Sequence, residues 1–178
     1  LIKAVQEAFG DSIRKFYTGI SYRHILVWDK GSVDVKLTPP HDILGQTIGE
    51  FKPTGMYADY IWDIMKKSYE LLSCHPINVE RKKRGLRPAN SIWLWGEGTK
   101  PNLPSFEEKY NIKGAVISAV DLIKGIAISA GLKSIDVEGA TGTVHTNYKG
   151  KADAAIRSLL EEKDDFIYIH LEGPDECG

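Results

Sequence analysis

The 178-residue sequence predicts an α/β protein, built on a parallel sheet with flanking helices, and three observations carry that expectation. Short apolar segments of strand length recur at 91–95 (SIWLW), 114–118 (GAVIS), 134–137 (SIDV) and 166–170 (FIYIH). Between the later ones lie segments with helical apolar spacing. Their connections are short, and a strand, helix, strand alternation of that kind closes as a parallel sheet with right-handed crossovers. Ahead of residue 87 the sequence is irregular and basic instead.

Composition narrows the function classes. A hydrophobic content of 42% is enough for a real core, and 23 Lys+Arg against 24 Asp+Glu gives a formal net charge of -1. Such a balance offers no global attraction to nucleic acid or acidic membranes, so neither is expected as a partner, and any phosphate binding must be local. Two cysteines, Cys74 and Cys177, with no secretory leader pattern, point to a reducing, cytoplasmic compartment. No apolar run has the length needed to cross a bilayer. The sequence begins at Leu1 inside a helical pattern and stops soon after a Gly/Pro turn, which suggests a piece of a longer protein.

In chain order, Ile2, Val5, Ala8 and Phe9 have helical spacing, and Gly10-Asp11-Ser12 breaks the helix. Residues 13–17 and 20–28 read as strand, Asp29-Lys30-Gly31 as a hairpin turn, and Val33, Val35 and Leu37 as the return strand. Arg23 and His24 then sit in the longer strand, on opposite faces. In Thr38-Pro39-Pro40-His41-Asp42 two prolines stiffen the backbone and fix the directions of His41 and Asp42; a plain turn with a helix cap reads equally well. After a loop-like stretch at 45–55, Tyr57, Tyr60, Ile61, Ile64, Ser68, Leu71 and Leu72 mark the core face of a long amphipathic helix. Asn78 is read as the cap of a short basic helix. That helix, with Arg81, Lys82, Lys83, Arg84 and then Arg87, is the one dense positive patch. It lacks the aromatic interleaving of a nucleic-acid surface, and suits either a solvated face or a small anion held by guanidinium forks.

The segment 91–95 is apolar on both alternating faces and reads as a strand buried on both sides, stopped by Gly96-Glu97-Gly98. Beyond it, Ser105 caps a short helix, and Ser118 with Asp121 resembles a capping box opening a second. Ala152, Ala155, Ile156, Leu159 and Leu160 give the core face of a third. The corners at 96–98, 118–121, 138–142 and 172–175 all follow strand ends, so a parallel sheet gathers them at its carboxyl rim, where open α/β folds bind ligands. There Glu172, Asp175 and Glu176 offer hard oxygen donors for a divalent ion, although a Gly-Pro-Asp turn is also an ordinary turn.

Taken together, GISYRHILV, TPPHDI, PANSIWLWGEG, LPSFEEKYNIKGAVISAVDLIKGI, VEGATG and HLEGPDECG resemble the archaeal-type branch of cofactor-independent phosphoglycerate mutases, metalloenzymes of the alkaline-phosphatase superfamily. The resemblance implies a metal-bearing phosphatase-like core with a smaller α+β lid domain inserted into it, the lid covering 1–88 and the core 89–178. It implies two divalent ions (manganese or magnesium, with zinc as a further option) and no bisphosphoglycerate. A serine nucleophile takes the phosphoryl group from 3-phosphoglycerate and returns it to the neighbouring hydroxyl as 2-phosphoglycerate.

Carried over by the resemblance, Asp175 is the metal-binding aspartate; Arg23, His24, Arg81 and Asn90 hold phosphate or carboxylate; His41 and Asp42 assist proton handling. Gly173 and Cys177 stand where the family pattern leads one to expect alanine. The serine nucleophile and the other metal ligands have no counterpart in this sequence, so the piece by itself is expected to be inactive. The oligomeric state is left open. Two other readings stand beside this one: a kinase or phosphatase of a small hydroxy acid such as homoserine on the same scaffold, and a non-catalytic module whose basic helix docks an acidic partner.

Overall fold

The computed structural model describes the backbone of residues 1–176 and the side chains of residues 1–174. The chain divides into two compact units, Leu1–Thr99 and Lys100–Gly178.

The first unit opens with helix α1 (Ile2–Phe9), which buries Val5. Gln6 Oε1 accepts a 2.6 Å hydrogen bond from the Phe16 amide and ties the helix to strand β1 (Arg14–Thr18). Before that strand, the Asp11 carboxylate accepts from the amides of Ile13 and Arg14 and pairs with the Arg14 guanidinium. Those bonds, led by the one from Arg14, hold the Asp11 carboxyl down to about 2. The guanidinium also lies 4.7 Å from the centre of the Tyr60 ring.

Strand β1 pairs antiparallel with β2 (His24–Trp28), Arg14 opposite Trp28 and Thr18 opposite His24. The hairpin therefore turns at residues 19–23, not at Asp29-Lys30-Gly31 as the sequence suggested. Arg23 lies in that turn rather than in a strand. The expected return strand survives only as β3 (Val35–Lys36), which pairs with β4 (Thr54–Gly55) out of the stretch read as loop. Gly55 is required there: its φ is +93°, and a Cβ would sit 2.7 Å from the Asp34 carbonyl oxygen.

Helix α2 (Ala58–Ser73) follows its apolar spacing and buries Ile61, Ile64, Met65, Ser68 and Leu72. Val35, Ile61 and Met65 form the core of this unit, with Trp28, Leu37, Trp62, Trp93 and Leu94 packed around them. Pro76 opens α3 (Pro76–Lys83), and its cap is His75, whose Nδ1 accepts from the Ile77 amide, rather than Asn78.

Residues 91–95 are not a strand of any sheet. They run extended along the first unit as a strap, and side chains take the place of a ladder. Ser68 Oγ accepts from the Ile92 amide at 3.0 Å, Ser91 Oγ donates to the Met65 carbonyl at 3.2 Å, and the Trp93 indole donates to the Thr38 carbonyl at 2.7 Å. Upstream, Asn78 is fully buried and bonds both polar backbone atoms of Ala89 and the Leu72 carbonyl. Trp93 and Leu94 pack on the α2 core, while Trp95 is 45% exposed, so the segment is not buried on both sides as its sequence suggested.

The second unit contains α4 (Phe106–Tyr110), β5 (Gly114–Ile117), α5 (Asp121–Ser129), β6 (Lys133–Ile135), α6 (Tyr148–Leu160), β7 (Phe166–Ile169) and α7 (Gly173–Glu176). Its sheet is parallel, in the order β6-β5-β7, with Ile117 level with both Ile135 and Ile169. The expected parallel sheet is present with three strands; the fourth was the strap. Central β5 is buried along its whole length, as its unbroken apolar run predicts. Ser105 caps α4 by accepting from the Glu108 amide, whereas Ser118 bonds the Val120 amide without capping α5.

Helix α6 departs from expectation. Its buried face is Lys151, Ala154, Ala155 and Ser158, while Ile156, Leu159 and Leu160 are exposed and Ala152 lies on the outer side. At the amino end of the sheet, the buried Asp164 carboxylate accepts from Ser158 Oγ at 2.6 Å and Lys133 Nζ at 2.8 Å. Burial pushes this carboxyl up, and the two hydrogen bonds outweigh it, leaving it below the ordinary aspartate value.

Candidate functional site

Each unit carries part of the expected chemistry. In the first, His24 begins β2 with its Nδ1 accepting from the Gly19 amide at 3.2 Å. A neutral imidazole that accepts at Nδ1 carries its proton on Nε2, so the outward nitrogen is a donor. Partial burial of the ring, with the amino-terminal charge adding to it, pushes its pKa below the ordinary value and favours this neutral form. Arg23 is exposed, and its guanidinium lies against the ring of Tyr22. Arg81 is half-buried and spends Nε on the Arg87 carbonyl at 2.8 Å, which leaves the other edge of its fork for an acceptor. Lys82, Lys83 and Arg84 are solvated. Asn90 is half-buried in the strap.

His41 and Asp42 lie in a single 3-10 turn, Pro40–Ile43, begun by the proline. Their Nε2 and Oδ1 are 3.8 Å apart, beyond hydrogen-bond reach, with both side chains 62% exposed. The His41 ring meets Trp95 edge-on, 5.2 Å between centres. The pair is therefore held by ring packing and a stiff turn, not by a bond between its members.

In the second unit polar side chains gather past the ends of β5 and β7, around His170. The His170 amide makes the last ladder bond, to the Ile117 carbonyl at 2.9 Å. Its own carbonyl accepts from Lys151 Nζ at 3.1 Å, and its Nδ1 lies 3.4 Å from Ser118 Oγ. Glu172 Oε2 sits 3.5 Å from the same ring nitrogen; that oxygen is buried and makes no hydrogen bond among the described residues. Gly173 brings the turn against the 138–147 loop, where a Cβ would lie 3.3 Å from the Val144 Cα. The loop itself is closed by Thr141 bonding the His145 carbonyl and Asn147 bonding the Glu138 carbonyl.

The expected rim thus forms from 118–121, 138–142 and 172–175, whereas 96–98 follows the strap and not a strand of this sheet. The side chains of Asp175 and Glu176, together with Cys177, lie outside the described residues. Among the described residues no three His, Cys, Asp or Glu side chains cluster as a metal site. Ser118, Lys151 and His170 were not foreseen as site residues. Lys151 was findable, since it precedes Ala154, Ala155 and Ser158 by three, four and seven positions and so shares their helical face.

Comparison with known proteins gives this arrangement a context. The family model described as 2,3-bisphosphoglycerate-independent phosphoglycerate mutase matches residues 1–78. The chain is 48% identical over 178 residues to a protein named as a probable mutase of that description from Geobacter sulfurreducens, and 48% identical over 179 residues to the one from Methanosarcina barkeri. Each alignment covers 100% of this chain and 44% of the relative. Identity to the Methanothrix thermoacetophila mutase is 51% over 163 residues. The chain therefore spans less than half the length of these curated relatives.

Among solved structures, a Pyrococcus horikoshii protein matches with a TM-score of 0.69 at 27% identity, over 98% of this chain and 41% of that one. The cofactor-independent phosphoglycerate mutase of Thermoplasma acidophilum matches with a TM-score of 0.59 at 24% identity, over 99% and 48%, a likeness of fold.

Proposed function

We propose, from a chain matched along its whole length by part of the 2,3-bisphosphoglycerate-independent phosphoglycerate mutases, that the parent protein interconverts 3-phosphoglycerate and 2-phosphoglycerate through a phosphoserine, without bisphosphoglycerate. The observation that carries this reading is the 48% identity across all 178 residues to relatives named for that activity. In this reading the first unit is the substrate-clamping lid and the second is part of an alkaline-phosphatase-like core. Placing the division near Thr99 rather than at Pro88 is supported by the grip of Asn78, Ser68 and Thr38 on the strap.

In the clamp, Arg23, the free edge of Arg81 and the Nε2 donor of His24 bind anionic oxygens, with Asn90 orienting them. Phosphoglycerate offers both a phosphoryl group and a carboxylate, which suits several separate donors better than one cluster. His41 and Asp42 move a proton between the two hydroxyls of glycerate, which requires the imidazole to swing off Trp95 towards the carboxylate. In the core, a buried carboxylate oxygen with no hydrogen bond among the described residues, Glu172 Oε2, fits the surroundings of a hard cation, and Asp175 is the residue that would hold it, with ligands from elsewhere in the parent. Divalent manganese, magnesium or zinc would neutralise phosphoryl oxygens and the leaving alkoxide. A clamp that excludes water keeps the phosphoserine from hydrolysing. Among the described residues no helix is long and apolar enough to cross a membrane, and a cytoplasmic site of action goes with this reading.

The test is turnover of 3-phosphoglycerate by the intact parent protein with manganese, followed by coupled detection of 2-phosphoglycerate. Conversion without ATP supports the reading. Homoserine-dependent ATP consumption, or no conversion in manganese, magnesium or zinc, overturns it.

A further inference from the structure

Lys151 is the largest fully buried side chain among the described residues, with 1% exposure. A lysine in that position is unusual, since burial disfavours its charge and pushes its pKa below the ordinary value. No carboxylate among the described residues pairs with it, and the bond its ammonium makes is to the His170 carbonyl. Its neighbours on the buried face of α6, Ala154, Ala155 and Ser158, are small, so a methionine or leucine would fill the same space without burying a charge.

The chosen acceptor explains the choice of residue. At His170, one residue past β7, the parallel ladder ends: its amide still bonds Ile117, and its carbonyl is bonded by Lys151. A part-buried carbonyl left unpaired there would let the backbone rotate in search of a partner. Two residues on, the chain must bring Glu172 to 3.5 Å from the His170 ring nitrogen and fit Gly173, the first residue of α7, against Val144.

We infer that Lys151 is a positioning residue, whose ammonium holds the His170 carbonyl and thereby fixes the course of the turn from β7 into α7. Its effect on turnover rests on the function proposed above, while its effect on the turn does not. In the intact parent protein, K151M removes the donor and keeps the stem. Hydrogen exchange of peptides spanning 170–176 rises about tenfold or more, while β5 and α6 stay protected and the melting temperature is unchanged or higher. The kcat for 3-phosphoglycerate falls about tenfold with KM within about twofold. K151R, which keeps a donor, recovers part of the protection and part of the turnover. Unchanged exchange at 170–176 in K151M overturns the inference, as does a loss of activity that merely tracks a loss of folded protein. If the wild-type parent turns over no phosphoglycerate, the proposed function falls, and the exchange measurement alone still decides the role of Lys151.

Discussion

The two units stabilise extended chain in opposite ways. In the second, β5 is held by repeating backbone bonds to β6 and β7, which do not depend on any particular side-chain donor or acceptor. In the first, the strap is held by five side chains, Asn78, Ser68, Ser91, Trp93 and Glu97, the last accepting from the Leu37 amide at 3.3 Å. A ladder is made by backbone groups and fixes direction and register together. A strap gripped by individual side chains is held at particular residues, which suits a segment carrying Asn90 as a proposed ligand contact, but it depends on those few side chains.

Substitutions can break that contrast in order of size. Ile117→Ala, in the fully buried centre of the sheet, is expected to cost about 3–4 kcal/mol in denaturant unfolding. All four tryptophans, Trp28, Trp62, Trp93 and Trp95, lie in the first unit, so the loss should register in far-ultraviolet circular dichroism before it registers in tryptophan fluorescence. Asn78→Ala reverses the order of the two signals and costs about 2–3 kcal/mol, because the Ala89 and Leu72 backbone groups lose their partners. If both probes moved together for both variants, the units would not be separable in this way.

Ser68→Ala sharpens the comparison at a single bond. It strands the Ile92 amide for about 1–2 kcal/mol and should red-shift the Trp93 emission as the strap loosens. The smallest effect concerns the Lys133–Asp164 ion pair of the second unit. With the Asp164 carboxyl held below its ordinary 3.8 in the folded state, its contribution is complete above that value and is lost as pH falls through the lower folded value. Asp164→Asn should therefore lower the melting temperature by a few degrees at pH 7 and progressively less in acid below about pH 4, where the two proteins converge. A constant gap across that range would show that the carboxylate charge has no part in it.

The same contrast explains what could be read from the sequence. Helix α2 and strand β5 followed their periodicity because both bury residues through regular geometry. The strap defeated it, since an apolar pentapeptide looks identical whether its amides face a neighbouring strand or Ser68. The face of α6 was misplaced for a related reason. Lysine is read as solvent-facing, yet Lys151 is inside, and Ile156, Leu159 and Leu160 are outside. For the site, the rim was foreseeable from strand ends. The convergence of Ser118, Lys151 and Glu172 on His170 was not, because it depends on register between strands 52 residues apart. Arg23 and His24 were expected on opposite faces of one strand, whereas only His24 is in β2, and its ring orientation is set by the Gly19 amide.

A strap without a ladder also has no cooperativity along its length, and its anchors are graded. At the Ala89 end the grip is a buried asparagine with bonds of 2.8–2.9 Å; at the Glu97 end it is an exposed carboxylate at 3.3 Å. Thermal fraying should therefore start at Gly98 and travel backwards, freeing Trp95 from His41 first, then Trp93, and leaving Asn90 seated until last.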